Sequence, residues 1–153
     1  MRLNIIHNED CFETMARWPE NSVDLIVTSP PWNAKKQYGP QSDDDRPDFD
    51  QWLRELCVEM ERVAKNAIYV YMSQEHMFTV KDSLKHFKQW LFYHRKNFGA
   101  ASYIRNPWIK TITPIALSIV NPDMKMVKKI QDIKGTDLIM GVNPQSDYKT
   151  NKR

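Results

Sequence analysis

The chain carries the stretch DLIVTSPPWN at residues Asp24–Asn33. Its apolar run Leu25–Val27, flanked by polar residues, predicts a short buried strand. Two consecutive prolines, Pro30 and Pro31, must end that strand because they remove two backbone donors and fix two φ angles. We expect a rigid turn at the carboxyl edge of an α/β sheet, where the Ser29 hydroxyl accepts hydrogen bonds and Trp32 offers a face for stacking.

Strand and helix patterns alternate on both sides of this stretch, from Leu3 to about Val120. Apolar residues at three- and four-residue steps predict helices, and short apolar or alternating runs between turn residues predict strands. The predicted strands are 3–6, 25–27, 67–72, 91–94 and 115–120, and the predicted helices start after Asp10, after Asp48 and near Met77. Residues 103–110 are ambiguous. This order predicts an α/β domain with a doubly wound, mostly parallel sheet.

Bulk composition limits the class of protein. The 153 residues are 41% hydrophobic and 27% charged, with a formal net charge of +3, which is typical of one globular domain. We divide the chain into a domain at 1–130 and a weakly ordered basic tail at 131–153. The two cysteines, Cys11 and Cys57, are far apart, so we expect reduced core residues in a cytoplasmic protein. The four histidines show no ligand spacing, so we expect no metal, and no apolar run approaches the roughly 20 residues that cross a bilayer.

Residues Thr28–Trp32 resemble the catalytic motif of the amino-group DNA methyltransferases, written (S/D/N)-P-P-(Y/W/F). The run-up EDCFE at 9–13 and WPENSVD at 18–24 is similar to the family's GDC-E…LP-NSVDLI, with Glu9 in place of the usual glycine. The resemblance extends from about Leu3 to Val120. It implies the sheet of S-adenosylmethionine-dependent methyltransferases, with seven strands in a complete enzyme.

The resemblance also implies roles for individual residues. Ser29, Pro30, Pro31 and Trp32 would form the catalytic site, and Asp10 would lie near the cofactor, although helix capping explains Asp10 equally well. Serine at the first motif position is more usual in enzymes that methylate cytosine at N4, and aspartate or asparagine in those that methylate adenine at N6. We therefore expect cytosine N4 rather than adenine N6.

DNA is the partner that this family implies, and basic residues near the motif are candidates to contact it. Lys35 and Lys36 lie in the long polar segment 33–48, which reads equally well as a site-bordering loop or as a solvated one. The other candidates form a basic and aromatic cluster of Arg105, Trp108 and Lys110.

A glycine-rich cofactor turn, F-x-G-x-G in this family, is missing from the sequence. The four glycines are Gly39, Gly99, Gly135 and Gly141, and no two lie within two residues of each other. In the circularly permuted class of the family this turn lies near the carboxyl end. The sequence therefore predicts the catalytic-motif portion of a methyltransferase, which binds S-adenosylmethionine weakly or shares it with a second chain.

Two other interpretations remain open from the sequence. In the first, the chain is an inactive, truncated remnant or a nucleic-acid-binding partner subunit that kept the fold without catalysis. In the second, it is a globular domain with a coincidental Ser-Pro-Pro-Trp turn. The extended similarity around Asp10 and Asp24 disfavours the last of these.

Overall fold

The fold was analysed in a computed structural model, which describes residues 6–36, 44–94 and 112–124. Within these ranges it contains helices α1 (Cys11–Ala16), α2 (Phe49–Val63) and α3 (Met77–Ser83), a 3-10 turn (Gln74–His76), and strands β1 (Val23–Thr28), β2 (Ala64–Tyr71), β3 (Phe87–His94) and β4 (Ile112–Ile119). The predicted α/β class is confirmed.

The four strands form one sheet in the order β1-β2-β4-β3. Strands β1 and β2 run parallel, with Ile26 opposite Ile68, whereas β4 is antiparallel to both β2 and β3. In the described part of the chain the sheet is therefore mixed rather than mostly parallel. The connection from β1 to β2 contains helix α2, as a parallel pair requires, whereas β3 and β4 are adjacent antiparallel strands.

The core lies between the helices and one face of the sheet. Helix α2 is amphipathic, and its stripe of Leu53, Leu56, Cys57, Met60 and Val63 is buried. This stripe belongs to one cluster with Ile68 and Val70 of β2, Ala116 of β4 and Val80 of α3. Cys57 is thus a core residue, as predicted.

Strand β1 departs from the prediction of a buried strand. Leu25 and Val27 expose 53% and 62% of their surface, and only Ile26 between them packs on the core cluster. The reason is position, because among the described strands β1 is at the edge and pairs with β2 alone. The alternating strand turns Leu25 and Val27 to the face opposite Ile26. The prediction of a buried strand is therefore wrong for Leu25 and Val27.

The ends of several elements also differ from the predicted ones. Helix α3 ends at Ser83 instead of reaching Phe87, which starts β3 four residues before the predicted strand. Strand β4 starts at Ile112, so Pro114 lies inside it rather than before it. Pro114 lies one residue beyond the β2–β4 pairing, which starts at Ile115, and its carbonyl oxygen still accepts a hydrogen bond from the Met72 N at 3.2 Å, so the proline costs the strand a single donor at its end.

The two predicted helix caps had different outcomes. The Asp10 side chain accepts a hydrogen bond from the Phe12 backbone N at 2.7 Å, which confirms the cap of α1. Asp48 occupies the N-cap position of α2 but makes no capping bond, because its carboxylate contacts the Arg46 guanidinium instead. Asp48 is therefore the N-cap residue of α2, as predicted, but it lacks the side-chain bond of a cap.

Some predictions fall partly or wholly outside the described residues. In the predicted strand 3–6 only Ile6 is described; it is not in a strand and is 97% exposed. The ambiguous segment 103–110 and the tail 131–153 are not described. No helix in the described ranges is long and apolar enough to span a membrane.

Candidate active site

The Ser-Pro-Pro-Trp turn follows β1 directly and lies at the carboxyl edge that β1 shares with β2, because the two strands are parallel. Ser29 and Pro31 are exposed, whereas Pro30 is buried. Trp32 is half-buried and packs against the core cluster. The turn therefore presents the Ser29 side chain at the surface, on a backbone that Pro30 anchors.

A cavity of about 440 Å³ opens beside this turn, between α1 and α2. Most of the side chains around it are apolar, with a polar group at the start of α1. Its lining consists of His7, Glu9, Cys11, Thr14, Met15, Trp18, Thr28, Pro30, Pro31, Trp52, Leu56 and Met60. The volume and the mixture of apolar walls with a few polar groups are those of small-molecule sites. Pro30 and Pro31 of the motif therefore line a cavity that is large enough to hold a small ligand.

Glu9 organises the polar end of the cavity. Its Oε1 accepts hydrogen bonds from the Thr14 hydroxyl at 2.5 Å and from the Arg17 guanidinium, and it lies 3.2 Å from Nδ1 of His7. The hydrogen bonds from Thr14 and Arg17 hold the pKa of Glu9 below its ordinary value. The carboxylate that replaces the family's usual glycine is thus engaged within its own segment of chain.

Asp10 and Cys11 differ from each other in their relation to the cavity. The Asp10 carboxylate caps α1 and is not among the lining residues, so its proposed place near the cofactor remains a prediction. Cys11 is exposed and lines the cavity, so its prediction as a core residue is wrong: it starts α1 on the side facing the cavity. Partial burial, and then the charge of Asp10, raise the pKa of the Cys11 thiol. Burial, with repulsion from Glu61, raises the pKa of the Cys57 thiol to about 12.

The backbone after Pro31 is held by Asp44, a residue that the sequence did not single out. Its Oδ1 accepts a hydrogen bond from the Trp32 N and its Oδ2 accepts one from the Lys36 N, both at 3.0 Å. Burial opposes ionisation of Asp44, but hydrogen bonds from loop N–H groups, led by those of Lys36 and Ala34, outweigh it and hold its pKa below the ordinary value. Asp44 stands in the run Asp43–Asp45, and nothing in the sequence distinguishes it from its neighbours.

The predicted nucleic-acid residues are only partly described. Lys35 and Lys36 are both exposed beside the turn, and the Lys35 Nζ lies 3.4 Å from Oδ1 of Asp45. Arg105, Trp108 and Lys110 lie outside the described residues, so their contact with DNA remains a prediction. Among residues 6–36, 44–94 and 112–124, no group of three or more histidine, cysteine or acidic side chains is arranged to hold a metal ion.

The comparisons with known proteins agree with this arrangement. The Ser-Pro-Pro-Trp turn and the cavity beside it place the candidate site at the carboxyl edge of the parallel strands, where α/β domains commonly bind ligands. The family profile N6_N4_Mtase, described as DNA methylase, matches residues 23–132. The chain belongs to this family.

Individual relatives match shorter segments. The chain is 40% identical over 65 residues to the type II methyltransferase M.BglII of Bacillus subtilis, covering 41% of this chain and 17% of that protein. It is 33% identical over 91 residues to the type II methyltransferase M.HpaI of Haemophilus parainfluenzae, covering 52% of this chain and 28% of that protein. The match therefore spans less than a third of the length of either relative.

Solved structures share the fold. M1.HpyAVI superposes with a TM-score of 0.55 at 15% identity, covering 86% of this chain and 63% of that one. The PvuII DNA methyltransferase, which is cytosine-N4-specific, superposes with a TM-score of 0.54 at 15% identity, covering 74% of this chain and 48% of that one. An M1.HpyAVI–SAM complex superposes with a TM-score of 0.53 at 12% identity, covering 80% of this chain and 55% of that one. The chain has the methyltransferase fold over part of the length of these enzymes.

Proposed function

We propose that this chain supplies the catalytic-motif part of a DNA methyltransferase that transfers a methyl group from S-adenosylmethionine to the N4 amino group of cytosine. The observation that carries the proposal is the Ser29–Trp32 turn beside the cavity, in a chain of the DNA methylase family. Serine at the first motif position favours cytosine N4 over adenine N6. The cytosine-N4-specific PvuII enzyme among the structural relatives is compatible with this preference.

The chemistry proposed for the turn follows from the weak nucleophilicity of the cytosine amine, whose lone pair is delocalised into the ring. Ser29 Oγ and the Pro30 carbonyl oxygen would accept hydrogen bonds from the two amine N–H groups, which favours a pyramidal nitrogen. Trp32 would stack on the flipped base and replace part of the stacking lost from the duplex. In this proposal the main catalytic contribution of the chain is to position the target base and its amine with a rigid turn.

The cofactor fits the cavity in size and in the character of its walls. Aromatic rings such as Trp18 and Trp52 suit a sulfonium cation, because the faces of aromatic rings attract positive charge. Met15, Trp18 and Trp52 would hold its apolar part, and His7 and Glu9 would contact its polar end. When bound, S-adenosylmethionine supplies the methyl group for transfer.

A second polypeptide segment that carries the glycine-rich turn is part of the proposal. Strand β1 lies at the edge of the described sheet and exposes Leu25 and Val27 on one face. A strand in a parallel pair is normally covered on both faces, and an open edge invites a further strand. The open edge and the exposed face of β1 therefore support a further segment that adds to β1 and completes the cofactor site.

The test is to express the chain in a host without DNA methylation, alone and with an adjacent reading frame that carries F-x-G-x-G. Mass spectrometry of nucleosides from the host DNA then measures N4-methylcytosine and N6-methyladenine. We expect N4-methylcytosine only with both chains. Ser29→Ala should abolish most of it, while Ser22→Ala, whose hydroxyl bonds to the Pro19 carbonyl, should not. N6-methyladenine as the only product would contradict the cytosine assignment.

A second candidate is a nucleic-acid-binding subunit without catalysis, which the missing glycine turn favours. In that case the co-expressed chains leave the host DNA unmethylated, while the purified chain binds single-stranded DNA. The two candidates therefore differ in one mass-spectrometric measurement.

A further inference from the structure

The loop after Pro31 has a backbone that needs external support. Asn33 and Lys35 have φ values of 53° and 56°, in the left-handed region, which asparagine adopts fairly readily but lysine seldom does. Such conformations persist only where surrounding bonds hold them. Residues Trp32–Lys36 also point several backbone N–H groups toward one side, as left-handed residues do when they form an anion-binding concavity.

Asp44 fills that concavity. Its side chain is buried, with 4% of the residue exposed, and its two oxygens accept the bonds from the Trp32 and Lys36 N–H groups. Its own carbonyl oxygen accepts a further bond from the Lys35 N at 2.7 Å. These three hydrogen bonds hold the backbone of residues 32–36, which directly follow Pro31.

A second pair of bonds braces the same segment. The Asn33 Oδ1 accepts from the Arg46 N at 2.7 Å, and the Asn33 Nδ2 donates to the Arg46 carbonyl at 3.3 Å. The Arg46 guanidinium lies over the ring of Trp52, 5.2 Å from its centroid, and Trp52 lines the cavity. The brace therefore connects the loop to the wall of the candidate site.

We propose that Asp44 is a positioning residue, which fixes the backbone of Trp32 and thereby the ring that stacks on the target base. The base-stacking part of this inference rests on the proposed function. Asp44 is outside the core cluster, and the three hydrogen bonds that its side chain and carbonyl oxygen accept all come from loop residues 32–36. Its loss should therefore loosen the turn without unfolding the domain.

The neighbouring Asp45 provides a matched control. Its side chain is 66% exposed and contacts the Lys35 Nζ, so Asp45→Asn removes the same charge without touching the loop backbone. Asp44→Ala removes both acceptor oxygens, and Asp44→Asn keeps one and guards against a variant that does not fold.

Two measurements test the role on the full chain. In hydrogen exchange, Asp44→Ala should speed exchange of the Trp32 and Lys36 amides by about tenfold or more, with Asp44→Asn intermediate and Asp45→Asn unchanged. In fluorescence titration with a single-stranded oligonucleotide carrying one 2-aminopurine, Asp44→Ala should weaken binding by about fivefold or more, the lower end of the effect of losing one stacked base. In a Trp32→Ala background, Asp44→Ala should add no further loss.

The outcomes separate the two proposals. Amide exchange as slow in Asp44→Ala as in Asp45→Asn, or additive losses in the double variant, would overturn the positioning role. If Asp44→Ala binds the oligonucleotide as tightly as the wild-type chain does, the positioning role is also overturned. A wild-type chain that does not bind at all would instead overturn the nucleic-acid function, and with it the stacking role of Asp44.

Discussion

Arg62 of α2 donates a hydrogen bond from Nη2 to the Met15 carbonyl of α1 at 2.7 Å, across 47 residues of sequence. Its Nη1 donates to the Trp18 carbonyl at 2.9 Å, and its Nε donates to Oε2 of Glu59. One guanidinium thus satisfies two carbonyls at and just beyond the end of α1 and fastens that helix, which lines the cavity, to α2.

Replacing Arg62 should therefore destabilise the domain. Arg62→Ala leaves the Met15 and Trp18 carbonyls without this donor, and we expect a loss of about 1–3 kcal/mol in the free energy of unfolding. Arg62→Lys should restore little because an ammonium lacks the planar fork. Urea denaturation measures both, with Arg54→Ala as the control on the exposed side of α2. Equal midpoints for Arg62→Ala and Arg54→Ala would contradict the role.

Order in the turn should depend on pH through Asp44. The folded pKa of this carboxyl lies below its ordinary value, so ionisation favours the folded loop. The contribution is fully present above the ordinary aspartate range and is lost as the pH falls through the lowered folded pKa. The charged residues nearest in sequence to the loop and to Asp44 are Lys35, Lys36, Asp43, Asp45 and Arg46.

Amide exchange at Trp32 over a series from neutral to acidic pH measures this loss, after correction for the intrinsic exchange rate. Asp44→Asn should remove the pH dependence at Trp32. The pKa values of Glu9 and Asp48 are also lowered, so the global stability of the wild-type chain and of Asp44→Asn falls alike in acid. The test is therefore the local transition at Trp32. Persistence of the same local transition in Asp44→Asn would assign it to another group.

Trp32 should contribute more to ligand binding than to stability. Its ring is half-buried, so Trp32→Ala should cost less than the about 3–5 kcal/mol of a fully buried tryptophan. Loss of base stacking should weaken oligonucleotide binding by about 1–3 kcal/mol. Trp90 of β3 is the control, since β2 and β4 separate its strand from β1. Trp90→Ala should lower stability and leave binding unchanged; the reverse pattern would make Trp32 a core residue.

Ser29→Ala tests the other half of the turn. In an active assembly we expect it to lower the methylation rate more than DNA binding, because the proposed bond to the amine matters chiefly in the transition state. Separate measurement of the turnover number and of DNA affinity gives the answer. Equal losses in both would indicate a role in ground-state binding.

The isolated chain should bind S-adenosylmethionine weakly, with a dissociation constant well above the micromolar range, because the sequence lacks the glycine-rich turn. Isothermal titration calorimetry on the purified chain measures this directly. Addition of the second chain should tighten binding. Tight binding to the chain alone would instead mean that the cavity beside Pro30 and Pro31 suffices.

The exposed face of β1 should serve association rather than folding. Leu25→Ser with Val27→Ser should leave the free energy of unfolding of the isolated chain within about 0.5 kcal/mol. It should weaken association with the second chain at least about tenfold, since two apolar side chains are then no longer buried. Val58→Ser is the control, because Val58 is exposed to a similar extent on α2. Equal effects of the two variants on association would exclude this face.

The sequence alone determined the class of the fold and the place of its central turn. Period-two and period-3.6 patterns identify α2 and β2 because their apolar faces are buried by helix and sheet within one chain. The prolines at 30 and 31 mark the end of β1 because their effect on the backbone is local. The cap at Asp10 is local as well, spanning two residues.

Tertiary structure decided what depends on residues far apart in the chain. The exposure of Leu25 and Val27 follows from the edge position of β1, and strand order is not encoded in the pattern of a single strand. Asp44 differs from Asp45 because the fold brings its carboxylate to backbone N–H groups as many as 12 residues away. The cavity forms where α1, α2 and the end of β1 meet. Such relationships come from packing between elements, which sequence periodicity does not contain.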